Sequence, residues 1–444
     1  MDFAKRAYDH SYSFDPIIRS LLDTDFYKLL MLQFIWREYP NTTATFALKN
    51  RTSRVHLANI IDEDELRQQL DNVRTLRFQP NELIWLNGAS FAGQTQIFSS
   101  GFIDFLRTLK LPPYKLAEGV EGQYNLEFSG SWAEVTLWEI YALSIISEMK
   151  SRAAYRQRTK FELDILFSTA KMKLWRKLDA ISHLSDLNLS EFGTRRRAGF
   201  LWQEWATLAA RDVLGTKMVG TSNAYLAFKH GLEAVGTNAH ELPMVLAAIE
   251  TDPVKIKASQ YKVLDMWSKT YRGNLLVALP DTFGTSQFLR DAPSREMLAR
   301  TYRGFRPDSK SPFVAGKELI EFWKDHSVDP REKLVLFSDG LDVEIDGFQA
   351  NGHDIRRIHE CYHGQVGMGF GWGTNMTNDF RECDPRGTDL FDPISLVCKI
   401  KDANGMGAVK LSDNFEKATG PEMLVDKYRT IFGAEGVLHS ELKV

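Results

Sequence analysis

The chain has 444 residues, 43% hydrophobic and 25% charged, which suits two or three globular domains, or one barrel with additions, and excludes a disordered chain. Lys+Arg 55 against Asp+Glu 58 leaves a formal charge of −3, so no overall basic character draws the protein to nucleic acid. Its three cysteines, Cys361, Cys383 and Cys398, are far apart and odd in number, which speaks against a disulfide scaffold and fits a reducing cytoplasm.

The opening MDFAKRAYDH has no apolar signal core. In LLDTDFYKLLMLQF (21–34), Asp23, Thr24 or Asp25 can cap a helix of apolar period. Phe26 and Tyr27 are neighbours and point to different faces, so one joins the core while the other is a candidate platform for a flat heterocycle. ATFALKN (44–50), QTQIFSS from Gln94 and YNLEFSG (124–130) alternate as antiparallel strands do. Residues 1–150 therefore read as an α+β domain. The apolar run from Trp132 to Met149 carries Glu134, Glu139 and Glu148, costly inside a bilayer, so no membrane span is expected.

Over residues 151–394 amphipathic helices, for example 198–214 and 254–271, alternate with short apolar runs that end in polar, glycine-containing turns. These are SEFGTRRR (190–197), MVGTSNA (218–224), AVGTNAHE (234–241), LPDTFGTS (279–286), LFSDGLD (336–342) and GFGWGTN (369–375). Strand, turn and helix in series predict an α/β barrel or a doubly wound sheet. In a barrel such turns share the rim at the C-terminal ends of the strands, where active sites form. Residues 395–444 return to strand texture in SLVCKIKD (395–402) and AVKLSDN (408–414), around the turn Ala403-Asn404-Gly405. These strands and a final helix are expected to pack on the N-terminal domain.

Glycine turns followed by helices suit phosphate, because the backbone can approach closely and helix N–H groups are free. In GFGWGTNMTND (369–379), Gly369, Gly371 and Gly373 precede the hydroxyl of Thr374. Arg195, Arg196 and Arg197 flank one turn, Arg303 and Arg306 lie in YRGFRPDS, and Lys399, Lys401 and Lys410 follow. Only one arginine of the triplet needs to face inward; the other two read as solvated. Asp281, Asp308, Asp339 and Asp342 stand at strand ends, where carboxylates hold ribose hydroxyls or hydrated Mg²⁺, or simply cap helices. Among ten histidines, His10, His56, His183, His326 and His439 lie in polar or helical stretches, whereas His240 ends an apolar run on the rim and precedes Glu241. A neutral imidazole attacks phosphoryl groups, and an adjacent carboxylate can fix its tautomer.

In this order the motifs DTDFYKL (23–29), FGTRRR (192–197), GTSNAYLA (220–227), GTNAHE (236–241), DTFGTS (281–286), FRPDS (305–309), SDGLD (338–342), GTNMTND (373–379) and KLSDNFEKATG (410–420) resemble those of nicotinate phosphoribosyltransferases. The resemblance implies an irregular α/β barrel of the type II phosphoribosyltransferases, with an additional α+β domain built from both chain ends. It further implies a homodimer with shared active sites and an ATP-dependent, ligase-type enzyme of NAD biosynthesis. That enzyme joins nicotinate to phosphoribosyl pyrophosphate with Mg²⁺, through a phosphohistidine at His240 assisted by Glu241. Tyr27, from the partner subunit, and Phe192 would sandwich the pyridine, and Arg195 would pair with its carboxylate. Ser222, Asp281, Arg306, Asp308, Asp339, Gly340, Gly371, Gly373 and Thr374 would surround the phosphoribosyl group. Relatives commonly read Asp-Ser-Gly-Asp where this chain has Asp308-Ser309-Lys310-Ser311, so no metal role is expected of the missing acid. Nicotinamide phosphoribosyltransferase is the alternative, and competition between the two bases separates them.

Overall fold

The computed structural model describes residues 4–6, 14–91, 94–293 and 295–433; His10 and His439 lie outside them. The helix Phe26–Glu38 (α1) leads into Thr43–Asn50 (β1), Tyr114–Glu118 (β2) and Tyr124–Ser131 (β3). Alternate residues of β3, Tyr124, Leu126 and Phe128, are buried, as the two-residue period of a half-covered antiparallel sheet requires. After the helix Trp138–Tyr155 (α2), the parallel strands begin with Leu189–Glu191 (β4), Met218–Thr221 (β5) and Glu233–Ala234 (β6). The helices Glu241–Ala248 (α3) and Pro253–Thr270 (α4) separate these from Val277–Ala278 (β7), Gly304–Phe305 (β8) and Leu334–Phe337 (β9). A small parallel pair, Leu341–Asp342 (β10) with His353–Asp354 (β11), precedes Gly367–Trp372 (β12). Leu396–Ala403 (β13), Met406–Gly407 (β14) and the helix Glu422–Phe432 (α5) end the described chain.

Seven strands form one curled sheet in the order β6-β5-β4-β12-β9-β8-β7, parallel at each pairing. β12 is buried at five consecutive positions, as expected of a parallel strand covered on both faces. No backbone ladder closes β6 onto β7; the Asn238 amide spans the gap, donating to the Val277 carbonyl at 3.4 Å. The result is an irregular α/β barrel, as expected. The second sheet, β14-β13-β1-β3-β2, joins both chain ends. Between the two sheets runs α2, buried almost throughout; its Ser144 and Ser147 hydroxyls donate to the carbonyls of Thr194 and Arg197, each at 2.9 Å. Among the described residues no helix is long and apolar enough to cross a membrane.

Three segments depart from the sequence reading. QTQIFSS makes only an isolated bridge at Gln94, because Gln33 takes the place of a neighbouring strand: its amide donates to Ile97 O at 3.0 Å and accepts from Ser99 N at 2.7 Å. In the tail, Asn404 and Gly405 both adopt positive φ, 49° and 75°, the geometry of a tight hairpin turn, but the returning strand lasts two residues. The chain then crosses to the barrel, where Leu411 N and Ser412 N both donate to Thr282 O, at 2.9 and 3.2 Å. The third departure is α5, which lies against the barrel side rather than the N-terminal domain. Its apolar face, Val425, Tyr428 and Phe432, packs on Ile256 of α4 and on Phe283, whose ring stacks on Phe432 with centroids 4.0 Å apart.

Candidate active site

A cleft of about 200 Å³ lies between the C-terminal ends of the barrel strands and the edge of β1 and β13. The turns after β4, β6, β8, β9 and β12 reach it, bringing Phe192, His240, Arg306, Asp308, Asp339, Gly340, Gly373 and Thr374 together. The small sheet contributes Arg51 and Lys399, and the crossing tail adds Lys410 and Lys417. Seven basic side chains line the cleft against four acidic ones, so its field favours an anionic ligand. Tyr27 lines this cleft together with residues of its own barrel. The segment before Tyr27 is docked on its own barrel: Phe26 N donates to Ser222 O at 2.6 Å, and Asp23 accepts two bonds from Arg197, both 2.7 Å.

His240 is the N-cap of α3, with Met244 N donating to its carbonyl at 3.0 Å. Its Nδ1 lies 2.9 Å from the Thr282 hydroxyl, its Nε2 3.3 Å from Asp308 Oδ2 and 3.6 Å from Asp281 Oδ1. Burial, reinforced by the Lys410 charge, pushes its pKa down to about 4 against the pull of the two carboxylates. The ring is therefore neutral at neutral pH and has a nitrogen lone pair to offer. Burial works against ionising Asp308, yet the His240 hydrogen bond and the Lys410 charge hold its carboxyl well below the usual range. Asp281 is fully buried; Oδ2 accepts from the Ser309 hydroxyl at 2.6 Å, while Oδ1 has no hydrogen-bond partner. The ligand atoms of His240, Asp281 and Asp308 lie within 4.8 Å of one another. Two carboxylates with an open oxygen are the donor set that a hard, phosphate-bridging cation such as Mg²⁺ accepts.

Farther along the cleft, Tyr27, Phe192 and Arg195 line one end. Phe192 follows β4 and its N–H donates to Trp372 O at 2.8 Å. The Arg195 guanidinium stands 5.9 Å from the Tyr27 ring centre, with Nε 3.4 Å from Asp25 and Nη1 3.6 Å from Glu139. The Tyr27 hydroxyl is buried with no hydrogen-bond partner. Such an orphaned donor beside two aromatic faces and a cation suits a flat ring carrying a polar substituent.

Several sequence-based roles need correction. Glu241 does not orient His240: as the first residue of α3 its side chain turns inward, accepting from Trp132 Nε1 at 2.6 Å, Thr136 Oγ1 at 2.7 Å and the Lys28 ammonium. Asp308 and Thr282 are the histidine's partners instead. Ser222 is buried outside the cleft and donates to Asp25 at 2.7 Å, because the N-terminal segment covers that turn. Gly371 serves Phe192 rather than a phosphate: a Cβ there would lie 2.6 Å from the ring. Neither Arg196 nor Arg197 is a solvated charge. Arg196 lines the cleft and donates to Leu396 O at 3.1 Å, while Arg197 is fully buried. Lys310, the departure from the usual motif, points away from the cleft, donating to Ser286 at 3.0 Å and Glu318 at 2.5 Å. No motif contained Arg51 or Glu139, and Lys417 lay within KLSDNFEKATG without a role assigned to it. Lys399 and Lys401 are separated by a bulge at residue 401 of β13, which sends Lys401 to Glu127 at 2.6 Å.

Comparison with known proteins matches residues 187–435 to the nicotinate phosphoribosyltransferase (NAPRTase) family and residues 22–147 to the N-terminal domain of the same family. A nicotinate phosphoribosyltransferase from Vibrio cholerae is similar in structure at 28% identity and a TM-score of 0.81, over 95% of this chain and 97% of that one. One from Porphyromonas gingivalis is similar at 25% identity and 0.79, over 94% and 100%. With both parts matched and the barrel and second domain built as described, the chain belongs to the nicotinate phosphoribosyltransferase family.

Proposed function

We propose that this chain transfers phosphoribose from phosphoribosyl pyrophosphate to nicotinate, with ATP spent through a phosphate carried on His240. The observation that carries this reading is a neutral, buried histidine set between Asp308, Asp281 and Thr282 at the edge of a cation-lined cleft. An imidazole nitrogen attacks the γ-phosphorus of ATP, forming an N–P bond as ADP leaves with the electron pair of the broken P–O bond. Arg306 and Lys410 neutralise the entering charge. In the transfer itself the pyridine nitrogen attacks the anomeric carbon and the C–O bond to pyrophosphate breaks. Water then cleaves the phosphohistidine to phosphate and restores the imidazole.

Tyr27 and Phe192 hold the pyridine ring and Arg195 meets its carboxylate; Asp339, Gly340, Gly373 and Thr374 line the path of the ribose phosphate. Asp281 and Asp308 are the residues that would hold Mg²⁺, which would supply positive charge against the leaving pyrophosphate. Incubation with ATP labelled at the γ-phosphate is expected to give one acid-labile phosphate on His240, and His240→Asn none. Retention of the label in that variant would overturn the phosphohistidine. Absence of nicotinate mononucleotide with wild-type protein, or equal use of nicotinamide in competition, would overturn the choice of substrate.

A further inference from the structure

Behind the base end of the cleft runs a buried chain of alternating charges. Lys28, the residue after Tyr27 on α1, is fully enclosed. Its ammonium donates to Glu139 Oε2 at 2.6 Å, to Thr136 Oγ1 at 3.2 Å and to Glu241, which uses all three of its N–H bonds. The other oxygen of Glu139 faces Arg195 Nη1 at 3.6 Å, and Arg195 Nε faces Asp25 at 3.4 Å. Arg195 therefore has a carboxylate on either side, in loose ion pairs at 3.4 and 3.6 Å. Glu139 is bonded instead to Lys28, which lies 1.0 Å nearer than Arg195 (3.6 against 2.6 Å).

This arrangement matters because a ligand carboxylate must compete with Glu139 for the guanidinium. Two opposite charges in a partly dry site attract strongly, and the attraction steepens as they approach contact. With Lys28 in place one oxygen of Glu139 is held by an ammonium that Glu241 shares. Without it, Glu139 would close on Arg195 and cancel the cation that an anionic ligand needs. We propose that Lys28 is a positioning residue that sets the preference of the base pocket for an anionic over a neutral pyridine, by holding Glu139 back from Arg195. The inference rests on reading Tyr27, Phe192 and Arg195 as the base pocket.

The test uses the full-length protein and compares Lys28→Met, Glu139→Gln and the double variant with nicotinate, nicotinamide and phosphoribosyl pyrophosphate as varied substrates. Lys28→Met is expected to raise the KM for nicotinate about tenfold, the scale of one lost charge contact, while the KM values for nicotinamide and phosphoribosyl pyrophosphate stay within about twofold. Removing the freed carboxylate in Lys28→Met/Glu139→Gln restores most of the nicotinate KM. A merely structural lysine gives another pattern: all three KM values rise together, or kcat falls for both bases, with no rescue by Glu139→Gln, and that result overturns the proposal. If Lys28→Met does not fold, Glu139→Gln alone decides. A lower nicotinate KM with nicotinamide unchanged supports the proposal, and no selective change overturns it. Wild-type protein that forms no product from nicotinate would remove the underlying base-pocket reading; an active wild type with unselective variants removes this proposal alone.

Discussion

At the base end of the cleft Arg195, Arg197 and Lys28 each face carboxylates, from Asp25, Asp23, Glu139 and Glu241. Elsewhere along the cleft the side chains of Arg51 and Lys399 make no ion pair among the described residues; the Arg51 guanidinium donates to Lys417 O at 3.2 Å. Burial, followed by repulsion from Lys410 and Arg51, drives the Lys399 ammonium well below its ordinary pKa. Burial likewise lowers Arg51. The base end thus has Arg195, Arg197 and Lys28 already facing carboxylates before any ligand arrives, and resembles a rigid mould. Arg51 and Lys399 lie near one another in a dry setting, so a polyanion placed among these cations would relieve their mutual repulsion.

The sharpest way to break this contrast is to remove the unpaired cations. Arg51→Met/Lys399→Met is expected to raise the KM for phosphoribosyl pyrophosphate on the order of a hundredfold, with unfolding by denaturant little changed and the nicotinate KM nearly constant. Equal losses for both substrates in steady-state kinetics would mean that the two regions are not separate. Gly371→Ala probes the mould: its new methyl would displace the Phe192 ring, so the nicotinate KM should rise about tenfold while phosphoribosyl pyrophosphate is unaffected. A structure of that variant with Phe192 unmoved would contradict the assignment.

The smallest effect concerns His240. Its folded pKa of about 4 lies below the unfolded value of 6.5, so its neutral state contributes stability that is present above pH 6.5 and lost as pH falls toward 4. Phosphorylation from ATP should accordingly be nearly flat from pH 8 to 6 and fall only as the ring protonates, about twofold by pH 4. A midpoint near 6.5 in the labelling rate would show that the histidine is solvated.

How much of this the sequence revealed varies with distance along the chain. The rim turns were legible because each carries its own local signal, a short apolar run closing on glycine, and one such turn delivered His240. Its partners were not legible. Glu241 is adjacent in sequence but opens a helix and turns inward, whereas Asp308 arrives from a strand 68 positions later. Ser222 has the hydroxyl and the turn that a phosphate would want, yet Asp25 from the N-terminal segment occupies it. Arg51 was hidden for the same reason, and Lys399 was legible as a cation but not as its neighbour. Ala47 of β1 lies opposite Lys399 of β13, and no periodicity within either strand announces a partner so remote.

That remote pairing has a consequence for how the protein is made. During synthesis β1 emerges early and pairs with β3 on one side, but its other edge finds β13 only after most of the chain has followed. At ribosomal speeds the interval is on the order of tens of seconds. Throughout it the nascent chain carries an unpaired β edge, a template for mispairing with other chains. The enzyme's yield in the cell therefore depends on whether that edge is shielded until the last strand arrives.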